Sequence, residues 1–274
     1  MKRMKQLAAL LLAGLMAAML PACTTDSGSG SGAGGENSSG QDTLVLGTSA
    51  DYAPFEFHKI IDGKDTIVGF DIELARQIAE DMGKELVIKD MEFGNLITEL
   101  NNGTIDMIIS SLTPDAERAK QVDFSECYYY GEQVCIIRKA DMEKYTSMES
   151  LAGQSVAAQL GSIYEGIVKD MMPDSNLVSL AKMPDIIMQL NTGKVEAVVV
   201  DRDSAEGYLD QDDTLDIADF TIPYDENGAA VAVKKGNSEL LEQINETIQQ
   251  VTSDGTMDQW IEEAKAMDDS SETE

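Results

Sequence analysis

Two similar stretches of this sequence end in side chains that can bind a small polar ligand. The first is LNNGTIDMIISS, residues 100–111, and the second is LNTGKVEAVVVD, residues 190–201. Each has a glycine followed by a short apolar run, which predicts a helix end, a turn and a buried strand. The first run ends on the hydroxyls of Ser110 and Ser111, and the second on the carboxylate of Asp201. Because ligands of open α/β sheets bind beyond the carboxyl ends of the strands, these two ends predict a binding cleft.

The sequence from residue 43 onward indicates that the two similar stretches belong to two α/β units with the same order of elements. Apolar runs such as ELVIKD (85–90) and SVAAQ (155–159) alternate with amphipathic stretches such as FDIELARQIAEDMGK (70–84). This alternation favours parallel sheets that are covered by helices on both faces. The alternative is that a helix, a glycine and a strand follow one another by chance, as they can in any α/β protein. The repeat alone does not exclude this alternative.

Composition limits the classes of partner. The chain has 274 residues, of which 43% are hydrophobic and 26% charged, which is ordinary for one large or two small globular domains. Its 20 basic and 50 acidic residues give a formal net charge of −30. Nucleic acid is therefore excluded as a partner, since its phosphates would be repelled. Attraction of the side chains to an anionic membrane surface is excluded for the same reason.

The N-terminus predicts export and a lipid anchor. A basic segment, MKRMKQ, precedes the short apolar run LAALLLAGLMAAML, as in a signal peptide over residues 1–22. The following LPAC resembles a bacterial lipobox, which implies acylation of Cys23 and attachment to the outer face of the cytoplasmic membrane, or to the cell surface of a Gram-positive-type cell. The Gly/Ser-rich residues 23–42 then predict a flexible tether, and the acidic residues 268–274 a disordered tail.

The sequence offers little for catalysis or metal binding. It contains no Ser/His/Asp set for nucleophilic chemistry, and His58, the single histidine, falls in a predicted polar loop. No cluster has metal-ligand spacing, so neither a metal nor another cofactor is expected. Cys127 and Cys135 lie eight positions apart in the strand-like SECYYYGEQVCII. We favour two buried free thiols, although an exported protein could also join them in a disulfide.

Four motifs, taken together, carry a family resemblance. They are GTSADYAPFEF (47–57), GFDIELARQIAEDMG (69–83), DMIISSLTPDAERAKQVDFS (106–125) and QLGSIYE (159–165). In this order the sequence resembles the bacterial extracellular solute-binding proteins of ABC importers, in the polar amino-acid group, over about residues 43–265. The resemblance implies the type II periplasmic-binding-protein fold, with two mixed β-sheets flanked by helices and joined by two hinge strands.

The resemblance also implies a division into two lobes and a function. Lobe 1 comprises residues 43–132 and 224–267, and lobe 2 comprises residues 133–223. The implied function is capture of an amino acid, polar or cationic, between lobes that close by a hinge motion, followed by delivery to the permease. The expected partners are a free amino acid and the ABC permease, with the protein acting as a monomer.

The resemblance assigns the main ligand contacts. Arg118 matches the arginine that clamps the α-carboxylate, a role that suits its planar guanidinium. Asp201 matches the acid that receives the α-ammonium, and because a buried unpaired carboxylate is costly, a cation is expected beside it. Tyr52 and Phe93 match aromatic walls around the ligand side chain. Taken alone, Arg118 would be a solvated helix residue, Asp201 an exposed acid, and both aromatics core residues.

The remaining assignments concern two loops and the side-chain pocket. The strand-end loop comprises Ser110, Ser111, Leu112 and Thr113, and a predicted helix N-terminus, suited to an anion, comprises Gly161, Ser162 and Ile163. The alternatives are ordinary turn and helix-cap residues. The side-chain pocket comprises Ser49, Asp51, Gln159 and Tyr164, with Glu56 as a further candidate. Some receptors for basic amino acids carry an acid where Ser49 stands, and Asp51 could compensate for that departure.

Two other classes of function remain open at this level. Some relatives of the family are dehydratases of cyclohexadienyl acids, and a fold does not fix a function. Such chemistry needs a positioned acid or base, and the sequence offers no distinctive one. A sensor domain is the third class, but no second membrane segment or signalling module is recognised.

Overall fold

The computed structural model describes residues 43–224 and 228–269. The predicted signal peptide, Cys23, the tether and residues 270–274 of the tail lie outside the described residues. The described chain contains two five-stranded mixed sheets and one three-stranded sheet, with seven α-helices packed around them. The predicted fold class, two mixed sheets flanked by helices, is confirmed. Within the described ranges no helix is both long and apolar enough to cross a bilayer.

The first five-stranded sheet is built from residues that were predicted for lobe 1. Its spatial order is β5-β1-β6-β13-β7. Strand β1 pairs in parallel with β5 and β6, whereas β13 runs antiparallel to both β6 and β7. The strands are β1 (Thr43–Thr48), β5 (Glu85–Asp90), β6 (Met107–Ile108), β7 (Val122–Tyr130) and β13 (Gly228–Lys234).

The second five-stranded sheet is built from residues that were predicted for lobe 2. Its order is β10-β9-β11-β8-β12. Strand β9 pairs in parallel with β10 and β11, whereas β8 runs antiparallel to both β11 and β12. The strands are β8 (Gln133–Arg138), β9 (Ser155–Gln159), β10 (Asn176–Leu180), β11 (Ala197–Asp201) and β12 (Leu215–Ile217). Both sheets are therefore mixed, although helix–strand alternation alone favoured parallel ones.

The two repeated phrases occupy the same place in the two sheets. Each contains a glycine with positive φ, Gly103 at 77° and Gly193 at 69°, just after a helix. Each then supplies the central strand of its sheet: β6 pairs in parallel with β1, and β11 pairs in parallel with β9. Since the strand orders also correspond, the repeated phrases mark one α/β plan used twice.

The helices and a small three-stranded sheet complete the described part of the chain. The three-stranded sheet has the order β2-β3-β4, and it places His58 in a strand rather than in the predicted loop. Its strands are β2 (Asp51–Tyr52), β3 (Glu56–Ile61) and β4 (Lys64–Val68). The helices are α1 (Phe70–Asp81), α2 (Leu96–Asn102), α3 (Ile163–Met171), α4 (Met183–Asn191), α5 (Arg202–Gln211), α6 (Ser238–Ser253) and α7 (Thr256–Asp269). Helix α7 thus includes two residues that were predicted to open the tail.

Helix α1 is positioned by a glycine that packs against backbone. Gly69 has a φ of 121°, and a Cβ added to it would lie 2.1 Å from the carbonyl oxygen of Phe55. Only glycine fits there, and the close approach lets the N–H of Asp71 donate to the same oxygen at 3.0 Å. The helix buries Ile72, Leu74, Ala75, Ile78 and Ala79 on its apolar side. Asp71, in the first turn, is thereby held next to the start of β3, which carries Glu56.

The chain crosses between the sheets at two places. Residues 131 and 132 lead from β7 to β8, and the segment after β12 leads back to β13. Both thiols near the first crossing are free; Cys135 is buried, as predicted, but Cys127 is only half-buried. Burial raises the pKa of Cys135 to about 12, so this thiol stays protonated and inert.

Candidate functional site

A narrow cavity lies where the ends of the two sheets face each other. It has a volume of about 10 Å³, which is about the room that one water molecule needs, and side chains from both lobes line it. The lining residues are Tyr52, Glu56, Phe93, Ser110, Ser111, Thr113 and Arg118 from lobe 1, and Gln159, Ser162, Ile163 and Tyr164 from lobe 2. The structure therefore brings together ten of the fifteen residues predicted to contact a ligand, as well as Glu56. It places Ser49, Asp51, Leu112, Gly161 and Asp201 outside the lining.

Arg118 is a buried guanidinium that faces this cavity. It begins a short 3₁₀ turn, Arg118–Lys120, rather than lying on a solvated helix face, and only 7% of its surface is exposed. Asp115 holds the turn by accepting the N–H of Arg118 at 2.8 Å, and its other carboxylate oxygen lies 3.3 Å from Nε. Burial lowers the pKa of Arg118, and the charge of Asp115 opposes this shift. The group stays cationic, since an arginine is not deprotonated in a protein.

Among the described residues, the outer nitrogens of Arg118 donate only to carbonyl oxygens. One nitrogen donates to Thr113 at 2.6 Å, and the other donates to Gly161 of lobe 2 at 2.9 Å. The guanidinium also lies 5.6 Å from the ring centroid of Phe93, within cation–π range. A carboxylate would be a stronger acceptor than either carbonyl, so the two nitrogens can pair with an anion in the cavity.

The strand-end loop after β6 is held in an unusual backbone conformation by a buried acid. Ser111 has a φ of 44°, which is rare for a residue with a side chain. Its N–H donates to Asp71 at 2.8 Å, and the hydroxyl of Tyr128, on β7, donates to the same oxygen at 2.9 Å. Leu112, predicted as a contact, packs its side chain in the core instead, and its carbonyl accepts the N–H of Ala230.

Glu56 and Asp71 form a buried acid pair behind the cavity wall. Burial raises the pKa of both carboxyls, well above the usual range for Glu56 and to about 6 for Asp71, and the Asp71 charge adds to the shift at Glu56. One carboxylate oxygen of each acid is buried and accepts no hydrogen bond from the described residues. A proton shared between these two oxygens would satisfy both of them. Of the two acids, Glu56 is the one that holds this proton more readily, because burial and the charge of Asp71 both raise its pKa. Its other oxygen accepts the Ser110 hydroxyl at 2.5 Å, and Ser110 accepts the N–H of Ser49 at 3.1 Å.

Asp201 lies at the end of β11, directly behind three residues that line the cavity. Its Oδ2 accepts hydroxyl groups from Tyr52 at 3.2 Å, from Ser111 at 3.4 Å and from Tyr164. Burial raises the pKa of Asp201 to about 6, and these hydrogen bonds oppose the shift. The cation expected beside Asp201 is not a side chain, because no lysine or arginine of the described ranges pairs with it. The carboxylate can therefore receive a cation from a ligand.

The predicted helix N-terminus is only partly available. Ser162 precedes helix α3, but its hydroxyl donates to the carbonyl of Gln159 at 2.7 Å rather than capping the helix. The N–H of Gly161 donates to the Glu165 side chain at 3.0 Å. An anion at this end would have to compete with Glu165. The geometry thus favours Arg118 as the main anion-binding group.

Asp51 lies on the opposite side of β2 from the cavity. Neighbouring residues of a strand point to opposite faces, so Tyr52 lines the narrow cavity while Asp51 lines a second one. The second cavity is a wider opening between the lobes, of about 470 Å³. Asp51 therefore cannot compensate by direct contact for the acid missing at Ser49, whose hydroxyl bonds to Asp51 at 3.2 Å.

Some residues of the site were not predicted. Asp115 and Asp71 hold Arg118 and Ser111 in place, and Tyr128 supports Asp71 from β7. The sequence did carry a signal for Asp71, because this acid stands between two apolar residues, Phe70 and Ile72, at the start of a buried stretch. No group of metal-binding side chains was found within residues 43–224 and 228–269.

Comparison with known proteins gives a family match over most of the chain. The model of the bacterial extracellular solute-binding proteins, family 3, matches residues 44–264. The arginine-binding extracellular protein ArtP of Bacillus subtilis is 35% identical over 260 residues, covering 93% of this chain and 96% of that protein. The glutamine-binding protein GlnH of the same organism is 30% identical over 278 residues, covering 96% and 100%.

A solved structure agrees with these matches. The substrate-binding protein AbpA of an amino acid ABC transporter from Streptococcus pneumoniae, bound to L-arginine, superposes with a TM-score of 0.81. It is 39% identical in sequence, and the match covers 82% of this chain and 95% of that one. The likeness therefore extends over nearly all of the described residues.

Proposed function

The chain belongs to the bacterial extracellular solute-binding proteins of family 3, and from this premise we propose how it captures its ligand. Such proteins work outside the cytoplasm, bind an amino acid and serve an ABC transporter; they are not enzymes. In our proposal the lobes open to admit a free amino acid and close with it in an enlarged form of the narrow cavity, its α-carboxylate on Arg118 and its α-ammonium on Asp201.

One observation carries this proposal: a buried cation of one lobe lines the cavity, and a buried carboxylate of the other lobe lies directly behind the cavity wall. Arg118, from lobe 1, offers two outer nitrogens that bond only to carbonyls. Asp201, from lobe 2, carries no side-chain cation among the described residues and accepts only hydroxyls on its Oδ2. An α-amino acid has both complementary charges on one carbon. It could satisfy the two groups at once, which a ligand with one charge could not.

The residues that would surround the ligand's side chain favour a polar or cationic ligand. Tyr52 and Phe93 supply aromatic faces, on which the aliphatic part of a long side chain can pack. Glu56 and Gln159 supply oxygen atoms at the same cavity. A cation near Glu56 would favour its ionised form and lower its raised pKa. Arginine and glutamine, the ligands named for the two Bacillus relatives, both carry side-chain N–H donors that such oxygens could accept.

We further propose that the lobes close over the ligand by a hinge motion. The proposed lobes are residues 43–132 with 224–267 and residues 133–223. Hydrogen bonds already join them across the cavity, from Arg118 to Gly161 at 2.9 Å and between the hydroxyls of Tyr52 and Tyr164 at 3.2 Å. A bound amino acid would replace part of these contacts with stronger, charge-assisted ones. Ligand would thus favour the closed form through its differential contacts.

A lipid anchor and a monomeric state complete the proposal. The lipobox-like LPAC at residues 20–23 supports acylation of Cys23, and residues 23–42 would tether the body to the membrane. The second class of function, a dehydratase, gains no support, because the matched relatives are binding proteins and the cavity acids are paired or hydrogen-bonded.

A thermal-shift screen of the purified body against the common amino acids tests the function. We expect an amino acid with side-chain N–H groups, arginine first, to raise the melting temperature. At a ligand concentration a thousand times Kd, the stabilisation is about 4 kcal/mol, or roughly 8–16 °C for a body of this size. Agmatine, which lacks the carboxylate, should give little shift. If no amino acid raises the melting temperature while the protein consumes a cyclohexadienyl acid, the proposal fails.

A further inference from the structure

The Asp51 carboxylate joins the two lobes without lining the ligand cavity. Its Oδ2 accepts the N–H of Met183 at 3.1 Å, at the N-terminus of helix α4 in lobe 2. Its Oδ1 accepts the side-chain amide of Gln159, also in lobe 2, at 3.4 Å, and the hydroxyl of Ser49 at 3.2 Å. Asp51 therefore touches a residue of the cavity, Gln159, from behind.

These contacts fix the orientation of the Gln159 amide. Its Nε2 donates to Asp51 and, at 3.3 Å, to the carbonyl oxygen of Ala181. An ionised carboxylate and a carbonyl are acceptors only, so the NH₂ end must point toward them. Gln159 is 4% exposed and lines the cavity, and its Oε1 accepts no hydrogen bond from residues 43–224 or 228–269. The carbonyl oxygen is left as the end available to a ligand.

We infer that Asp51 is a positioning residue for ligand specificity: it holds the Gln159 amide so that the cavity presents a hydrogen-bond acceptor to the ligand side chain. This inference rests on the proposed function. A side chain that ends in N–H donors gains a hydrogen bond from this arrangement, whereas one that ends in acceptors faces a second acceptor. Specificity then comes partly from a residue that never touches the ligand.

The test compares two neutral ligands of similar size, L-glutamine and L-methionine sulfoxide, the second of which has no N–H donor on its side chain. Affinities are measured by calorimetry, with competition against arginine if binding is weak. We expect the wild-type protein to prefer glutamine at least tenfold. Asp51→Asn should lower this preference at least tenfold, because an asparagine can donate to Gln159 and lets its amide turn. The oxygen of the introduced amide could still accept the N–H of Met183, so the α4 contact is retained.

A charge-matched double variant tests whether an acceptor at position 159 is what Asp51 provides. Asp51→Asn with Gln159→Glu keeps the net charge of the pair, and a glutamate presents an acceptor whichever way it turns. It should restore the preference for glutamine. An unchanged preference in Asp51→Asn, or a double variant that fails to restore it, overturns the inference.

A second measurement covers the case in which Asp51→Asn does not fold. Gln159→Met removes the carbonyl that Asp51 is inferred to orient, so it should abolish the same preference for glutamine. Persistence of the preference in that variant would be decisive against the idea. A wild-type protein that binds no amino acid would instead refute the proposed function.

Discussion

Arg118→Ala is expected to abolish high-affinity binding of an amino acid. Truncating one partner of a buried charge pair costs about 2–5 kcal/mol, which is a factor of roughly 30 to 5,000 in Kd. The loss should be large because Arg118 is 7% exposed and no other lysine or arginine lines the cavity as described. Calorimetry of the purified body with its best ligand measures the effect.

Two further variants make this result specific. Arg118→Lys keeps a charge but lacks the planar fork of donors, so it should recover part of the lost affinity and not all of it. Arg76→Ala is the matched control, since Arg76 is a half-exposed residue of α1 that pairs with Glu73 at 3.6 Å. It should bind as the wild type does. Near-normal affinity in folded Arg118→Ala would reject the assignment of the carboxylate site.

Asp201→Asn should have the second-largest effect, and it should act on the ligand's ammonium. A hydrogen bond to a charged group contributes about 1.5–3 kcal/mol, so Kd should rise about 10- to 150-fold. The deaminated analogue of the ligand should bind weakly to the wild type, and the variant should discriminate less between the two. Glu73→Gln, which removes a half-exposed acid of helix α1 that pairs with Arg76 at 3.6 Å, is a suitable control. If Asp201→Asn still prefers the amino acid as strongly as the wild type does, the ammonium lies elsewhere.

The raised pKa of Asp201 predicts a dependence of affinity on pH. In the ligand-free protein this pKa is about 6, because the carboxyl is buried. A bound ammonium stabilises the charged form and lowers that pKa, so binding releases a proton at acidic pH. Affinity should be constant near pH 7–8 and fall below about pH 6, by at most tenfold per pH unit for one proton. Calorimetry between about pH 5 and pH 8 measures it. The fall should be smaller in Asp201→Asn, and what remains reports the raised pKa values of Asp71 and Glu56 beside the same cavity.

The strands and helices with a clear hydrophobic pattern were predictable from the sequence. The bounds of β5 and β9 agree with the predicted runs at 85–90 and 155–159, since both are short apolar segments between turn signals. Helix α5 was missed because its sequence, RDSAEGYLDQ, is polar and buries only Ser204 and Ala205. The hairpin of β3 and β4 was missed although Asp62-Gly63, both with positive φ, is a typical two-residue turn.

The site was predictable as far as its residues belong to motifs or strand ends. Arg118, Ser110, Ser111 and Tyr52 were all expected at the cleft, and the structure places them at one cavity. Asp51 could not be placed, because alternation along β2 turns it to the other face from Tyr52, and β2 itself was not predicted.

The acid pair of Glu56 and Asp71 could not be predicted either. Its two members lie fifteen positions apart in the chain, in different elements. They meet only because Gly69 brings helix α1 against the backbone of Phe55. A contact of this kind depends on the tertiary packing, and no local sequence pattern predicts it.

The central claim is that one zwitterion bridges the two lobes, and a crystal structure of the body with its best amino acid tests it most directly. We expect the α-carboxylate within about 3 Å of two Arg118 nitrogens, and the α-ammonium within the same distance of the Asp201 carboxylate. The hydrogen bond from Arg118 to Gly161 should be lengthened or lost as the carboxylate takes its place. A ligand bound in the wider cavity behind β2, or one in the narrow cavity with its charges away from both residues, would contradict the account.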